Sequence, residues 1–235
     1  MKFNIQPLVA ALLLLGSCHT DESSSNSTET VANPQGSSVG TYLAEAAEPV
    51  VVPEVDGKAR AYFASGCFWC VEAVYESVKG VEESISGYSG GHTDNPTYGL
   101  SNTGQTGHAE AVEIIYDPNV VSFATLVDVY FGSQVVTQVN GQGPDHGSQY
   151  RSILFYQSDE QKKIIEEKVA VIESKLDGGV VGAEVLPFKK FWLGENYHQD
   201  YERLHPTQGY IQSVSIPRLK KFQSKFPHLL KDSAH

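Results

Sequence analysis

Two cysteines three positions apart stand in the stretch Gly66-Cys67-Phe68-Trp69-Cys70-Val71-Glu72, and they are the residues of this chain best suited to redox work. The reactive form of cysteine is the thiolate, and a second thiol within reach lets an oxidised first one condense to a disulfide. Ahead of the pair, Ala59 to Ala64 is short, apolar and β-tolerant; behind it, Phe68, Val71, Val74, Tyr75 and Val78 recur at helical spacing. The order is therefore strand, glycine turn, helix. Cys67 then sits in the first turn of that helix, where unpaired backbone N–H groups favour an anion, so the expectation is a lowered thiol pKa. Cys70, at i+3, falls on the same face one turn along. Two other uses of such a pair are weighed. A structural disulfide closing so small a loop stabilises little. A zinc site needs about four ligands, and the chain has no second Cys-x-x-Cys, so no metal is expected.

The remaining elements must hold a thiol in a useful place. Ala109 to Tyr116 reads as a strand that puts Glu110 on one face with Val112, Ile114 and Tyr116. A carboxyl on an apolar face is kept neutral by desolvation and can donate a proton. The same alternation also fits an edge strand from which Glu110 reaches solvent. Val81 to Tyr88 and Ser152 to Tyr156 are further strands, with Gly90 to Tyr98 and Gln142 to Ser152 as polar loops. Ser122 caps a helix with Phe123, Leu126, Val127, Tyr130 and Phe131 on one face, ending at Gly132. Ser158 to Gln161 is a capping box that opens a helix to about Leu176, with Gly178 as its stop. Val180 to Leu186 is read as a strand, Phe188 to Tyr201 as an aromatic-rich stretch, and Pro217 to Leu230 as a basic amphipathic terminal helix. No internal repeat is present.

The chain has 235 residues and a formal charge of −11, which argues against sequence-independent binding of nucleic acid. Much of that charge lies near the N-terminus: residues 19–57 carry seven acids and no Lys or Arg. Before them, Lys2, the apolar run Leu8 to Leu15 and the sequence Leu15-Gly16-Ser17-Cys18 have the form of a secretory signal. The small residues ahead of Cys18 resemble the lipobox of bacterial lipoproteins, in which that cysteine is lipidated. A lipidated Cys18 would be a thioether, leaving Cys67 and Cys70 as the free thiols, and would anchor the protein in the cell envelope. His19 after Cys18 favours the outer membrane. The expected organisation is a signal over 1–18, a solvated tether over 19–57 with a reach of about 35 Å, and a catalytic domain over 58–235.

Six ordered stretches carry a resemblance: G-C-F-W-C-V-E at 66–72, G-Y-S-G-G at 87–91, N-P-T-Y at 95–98, T-G-H-A-E-A-V at 106–112, D-H-G-S-Q-Y-R-S at 145–152 and E-N-Y-H-Q-D-Y at 195–201. Together they resemble the A-type peptide methionine sulfoxide reductases, from about residue 58 to 213. The resemblance implies an α/β (α+β) two-layer sandwich with a ferredoxin-like core and elaborations. It implies Cys67 as nucleophile, Phe68 and Trp69 as the aromatic wall for the substrate methyl group, and Tyr98, Glu110 and Tyr150 around the sulfoxide oxygen, with Glu110 as the acid. Asp145 matches the acidic residue of the same polar cluster. It further implies the S-epimer of methionine sulfoxide as substrate, a thioredoxin or similar dithiol as reductant, no bound cofactor, and a monomer. Cys70 is then the resolving cysteine, because the C-terminal resolving cysteines of many relatives are absent.

The chain also departs from the family pattern. Gln134-Val135-Val136 stands where many members have His-Asp-Pro, and Pro144 replaces the usual Asn before Asp145, so the loop over 133–144 is the part whose structure is least specified. Phe188, Trp192, Tyr197, His198 and Tyr201 are read as packing and local hydrogen bonding rather than catalysis, and His108 as orienting the turn before Glu110. Two rival functions remain open at this stage. A thiol–disulfide oxidoreductase would use Cys-x-x-Cys at a helix start but needs neither an acid nor a methyl pocket; a non-enzymatic lipoprotein would use the exposed aromatics to bind a partner.

Overall fold

The computed structural model describes residues 48–232. In chain order the elements are β1 (Ala59–Ser65), α1 (Phe68–Glu76), β2 (Val81–Ser89), the single-turn α2 (Tyr98–Ser101), β3 (Ala109–Tyr116), α3 (Phe123–Gly132), the two-residue strands β4 (Gly141–Gln142) and β5 (Asp145–His146), β6 (Ser152–Tyr156), α4 (Asp159–Glu173), β7 (Glu184–Pro187), β8 (Phe191–Leu193), the short α5 (Tyr201–Leu204) and α6 (Ile216–Lys225).

Six strands form one mixed sheet in the order β7-β6-β1-β3-β2-β8. The four central strands are antiparallel throughout, and only β7 joins its neighbour β6 in parallel. Each strand shows alternation. Ala61 and Phe63 of β1, with Val112, Ile114 and Tyr116 of β3, turn to the face covered by α1, α3, α4 and α6 and form the main core with Val74, Tyr75, Leu126, Ile165 and Phe222. Tyr62, Ala64, Ala109 and Ala111 point the other way, where no helix lies over them; Val52, Phe188 and Phe191 cover them instead, with the Tyr62 ring stacked on Phe188 at 3.8 Å. Small alanines at three of those four positions let irregular chain come close to the sheet.

The caps expected from sequence are present. Ser122 accepts from the Thr125 N–H, and Ser158 accepts from the Gln161 N–H while the Gln161 side chain reaches back to the N–H of Gln157.

Three expectations need correction. The strand expected over Val180 to Leu186 is confined to β7, because the N–H groups of Val181 and Gly182 are taken by the Glu173 carboxylate and the Val136 carbonyl rather than by a neighbouring strand. The helix expected over Pro217 to Leu230 is α6, preceded by a wide π turn over Ile211–Ser215 and closed at Phe226; Pro227 biases the residue before it away from helical geometry, and Phe226 has φ −127° and ψ 49°. Finally, the end of the stretch read as tether is held down: the N–H of Val50 donates to the Phe188 carbonyl at 2.8 Å, and that of Val52 to the Gln157 side chain at 2.8 Å. Ordered chain therefore begins before residue 58. Cys18 and the signal lie outside the described residues, among which no helix is long and apolar enough to cross a membrane.

Candidate active site

The turn from β1 into α1 sets the position of the reactive sulfur. Gly66 has φ +77°, and a Cβ there would lie 2.6 Å from the Gln142 side chain, so both conformation and space call for glycine. Cys67 is the N-cap of α1 rather than a residue of its first turn, and its carbonyl accepts from the N–H groups of Cys70 and Val71 at 3.2 and 3.3 Å. Cys67 and Cys70 are both buried and both free thiols.

The helix-start donor that sequence reasoning assigned to a thiolate goes elsewhere. The Phe68 N–H donates at 3.0 Å to Oε2 of Glu110, which β3 carries inward on the face shared with Val112 and Ile114. Glu110 is 2% exposed, which decides between the two readings of its strand in favour of the inward one. Burial pushes its pKa up to about 8, despite the Phe68 N–H, with the charges of Asp145 and Cys70 adding to the rise. Glu110 is accordingly a neutral acid at pH 7.

The same burial overturns the expected lowering at Cys67. Its thiol is pushed well up by desolvation first, then by its hydrogen bond and charge interaction with Cys70 and by Glu110. Cys70 moves the other way, down to about 7: the hydrogen bond from Cys67 is the main cause, burial opposes it, and the Arg218 charge and the hydroxyls of Ser215 and Tyr210 assist. The two thiols thus titrate as a pair that holds one negative charge near neutrality, resting on Cys70.

The remaining residues singled out from sequence converge on this point. Tyr98, at the head of α2, and Tyr150, in the turn before β6, both have phenol pKa values raised by burial and then by the Glu110 charge, with Cys67 contributing to each, so all four share one electrostatic neighbourhood. The Phe68 ring is fully buried beneath Tyr98, at 6.2 Å and nearly parallel, and beside Tyr88 and His198. It is the floor of the aromatic wall. Trp69 is half-buried, stacked on Tyr201 at 3.8 Å, and its Nε1–H donates to His198 Nδ1 at 3.2 Å. Asp145 opens the second strand of the β4–β5 hairpin, whose turn is Gly143 at φ +57° followed by Pro144. The proline that departs from the family pattern is thus at home in a two-residue turn.

Sequence reasoning passed over three residues here. Tyr210 donates to Asp145 Oδ2 at 2.5 Å and lies 3.7 Å from the Cys70 sulfur, with its ring steeply inclined to that of Trp69. It stands 140 positions from Cys70 in the chain, so no local pattern could have flagged it. Glu195 accepts from the Tyr98 N–H at 2.9 Å and from the Tyr88 hydroxyl at 2.8 Å, which fixes the loop carrying Tyr98. Glu72, one turn along α1 from Trp69, accepts from the Asp200 N–H at 2.6 Å and from the Ser86 hydroxyl, tying down the segment that brings His198 and Tyr201 to Trp69. His198 thus packs on Phe68 and hydrogen-bonds Trp69, the packing and local hydrogen bonding expected of it. His108 does what was expected of it: its ring accepts from the Gly91 N–H at 3.1 Å and binds the Thr93 carbonyl at 2.8 Å, joining the 91–93 loop to the start of β3.

Comparison with known proteins agrees with this arrangement. Residues 59–230 match the family model described as peptide methionine sulfoxide reductase. The chain is 46% identical over 172 residues to the peptide methionine sulfoxide reductase MsrA of Polynucleobacter asymbioticus, covering 73% of this chain and 90% of that one. It is 48% identical over 162 residues to the MsrA of Sulfolobus acidocaldarius, covering 69% and 92%. Among solved structures it is similar to the methionine sulfoxide reductase A of Corynebacterium diphtheriae, with a TM-score of 0.60 and 30% identity over 68% of this chain and 83% of that one. It is likewise similar to Mxr1 of Saccharomyces cerevisiae in reduced form, with a TM-score of 0.58 and 30% identity over 69% and 94%. This chain therefore belongs to the peptide methionine sulfoxide reductase family, A type, and is an oxidoreductase.

Proposed function

We propose that the protein reduces the S-epimer of methionine sulfoxide in oxidised proteins through a sulfenic acid on Cys67 and a Cys67–Cys70 disulfide. The observation that carries this reading is the neutral, inward Glu110 fixed by the Phe68 N–H at the foot of the helix that Cys67 caps. Sulfoxide sulfur is a poor electrophile until its oxygen is protonated, so a thiolate and an acid must act together. Glu110 supplies the proton, and the phenols of Tyr98 and Tyr150 share the charge on the oxygen. Proton passage from Cys67 to Cys70 makes the nucleophile. Attack of the Cys67 sulfur on the sulfoxide releases methionine and leaves Cys67 as a sulfenic acid. The Cys70 thiol then displaces water from it to form the disulfide, which a thioredoxin-like dithiol reopens.

Epimer choice follows from three fixed directions around a stereogenic sulfur: the methyl group on Trp69 above Phe68, the oxygen on Glu110, and the rest of the methionine side chain outward to the peptide, with Cys67 facing the sulfur. Only one epimer satisfies all three, and the family resemblance makes it the S form. A rival thiol–disulfide exchange activity would have no use for Glu110. The fold reading extends likewise: β1-α1-β2-β3-α3-β6 with strand order β6-β1-β3-β2 supports a ferredoxin-like core. The N-terminal signal, Cys18 and acidic stretch support an envelope lipoprotein whose domain repairs proteins near a membrane.

The test is turnover of each epimer of a methionine sulfoxide peptide by the full chain with dithiothreitol, for wild type and Cys70→Ser. Reduction of the S-epimer alone, with the variant halted after one turnover when thioredoxin is the reductant, is the expected result. A folded wild type that reduces neither epimer would sink the reading.

A further inference from the structure

Beside the site a cleft of about 480 Å³ opens to solvent. Cys70 lies on its wall; Cys67 does not. One side is the 132–135 segment with the β4–β5 hairpin, the other the π turn and α6. Its walls are preformed. The Gln142 side chain grips both the N–H and the carbonyl of Val135 at 3.0 and 2.9 Å, and Gln138 does the same for Gly143 at 2.9 and 3.2 Å. Arg218 spans the base, donating to the Ser133 carbonyl at 2.8 Å, the Ser65 carbonyl at 2.8 Å and the Ser65 hydroxyl at 2.9 Å. The loop that departs from the family pattern, 133–144, is thus the loop that frames this opening.

The lining has two characters. Val135, which is 50% exposed, and Pro144 and Pro217 are apolar and solvent-facing. Lys221 and Lys225 are exposed cations one helical turn apart on α6, and neither meets a carboxylate among the described residues. The acid in the wall, Asp145, is already held by Tyr210.

We propose that this cleft is where the external reductant docks, and that its thiolate attacks the sulfur of Cys70 rather than that of Cys67. The occupant is a protein dithiol whose nucleophilic cysteine is flanked by a small apolar surface and by acidic side chains, which the exposed valine and prolines and the pair Lys221 and Lys225 complement. This rests on the disulfide cycle proposed above. In the first step a bond forms between the reductant sulfur and Cys70, the Cys67–Cys70 bond breaks, and its electron pair leaves with Cys67, which takes up a proton. In the second, the reductant's other thiolate attacks its own first sulfur and Cys70 departs as thiolate. Two electrons pass from the reductant to the two cysteines, which return as thiols.

The experiment oxidises the full chain with a methionine sulfoxide peptide, maps its disulfide by mass spectrometry, adds a thioredoxin whose resolving cysteine is serine, quenches with acid and maps the mixed disulfide. The expected adduct is on Cys70. An adduct on Cys67 overturns the proposal while leaving the cycle intact, whereas oxidised protein lacking the Cys67–Cys70 bond overturns the cycle itself. In parallel, Lys221→Glu with Lys225→Glu is expected to raise KM for thioredoxin about tenfold while turnover with dithiothreitol and the single-turnover burst stay unchanged. An unaltered KM for thioredoxin overturns the docking surface.

Discussion

The two thiols at the start of α1 treat negative charge in opposite ways. Around Cys67, where Glu110 is buried and Tyr98 and Tyr150 are half-buried, negative charge is disfavoured: Glu110 is neutral at pH 7, Cys67 keeps its proton, and the phenols of Tyr98 and Tyr150 rise with them. Toward the cleft the hydrogen bond from Cys67 and the Arg218 charge act on Cys70, and that thiol falls to about 7. Two cysteines three residues apart on one helix are thereby set to different work. What separates them is not the helix terminus but the groups beside each sulfur, Glu110 by Cys67 and Arg218 with Ser215 by Cys70.

The largest test of this contrast removes the nucleophile. Cys67→Ser is expected to cut sulfoxide reduction by at least ~10³-fold with any reductant, since no other group on the acid side can attack sulfur; a peptide reduction assay decides it. Next, Glu110→Gln is expected to lower kcat/KM by roughly 10²–10³-fold, within the usual range for a lost general acid. The wild-type profile of kcat/KM against pH should rise through about 7 as the thiol pair loses its first proton and fall through about 8 as Glu110 ionises. In Glu110→Gln the alkaline limb should vanish.

The same variant should become more stable. A carboxyl whose folded pKa lies above its unfolded value contributes stability below the unfolded pKa and loses it as pH rises through the folded one. Glu110 and Glu72, both pushed up to about 8 chiefly by burial, therefore weaken the fold progressively from about pH 4.5 to 8. Denaturant melts at pH 8 should show Glu110→Gln more stable by roughly 1–4 kcal/mol, with a smaller gain at pH 5. Equal stability at both values would contradict the burial argument.

Smaller effects sharpen the cleft side. Tyr210→Phe, which removes the hydroxyl shared by Asp145 and Cys70, is expected to slow turnover about tenfold. Arg218→Gln should raise the apparent pKa of Cys70 and slow its alkylation at pH 7 about three- to tenfold, with the rate against pH as readout. An unchanged profile would mean that the hydrogen bonds from Cys67, Ser215 and Tyr210 lower Cys70 without help from Arg218.

Much of the molecule was legible before any coordinates. The strand–turn–helix around Cys67, the inward face of Ala109 to Tyr116, the Ser122 and Ser158 caps and the six family stretches all depend on residues close together in the chain, where spacing and propensity are direct signals. Where the reading failed, distant groups had competed for backbone donors. Val181 and Gly182 look like strand but spend their N–H groups on Glu173 and Val136. Val50 and Val52 sit in a stretch that reads as tether, yet Phe188 and Gln157 capture them.

The sequence by itself determined that a thiol would stand at the mouth of a helix with a second thiol one turn on, that a carboxyl would lie among apolar neighbours, and which family the chain resembles. Only the tertiary structure decided which sulfur keeps its proton. That outcome depends on the Phe68 N–H going to Glu110, on burial at the junction of β1, β3 and α1, and on Arg218 and Tyr210 returning from the far end of the chain to meet Cys70. Desolvation and charge proximity are properties of assembled surfaces, and a local motif cannot state them.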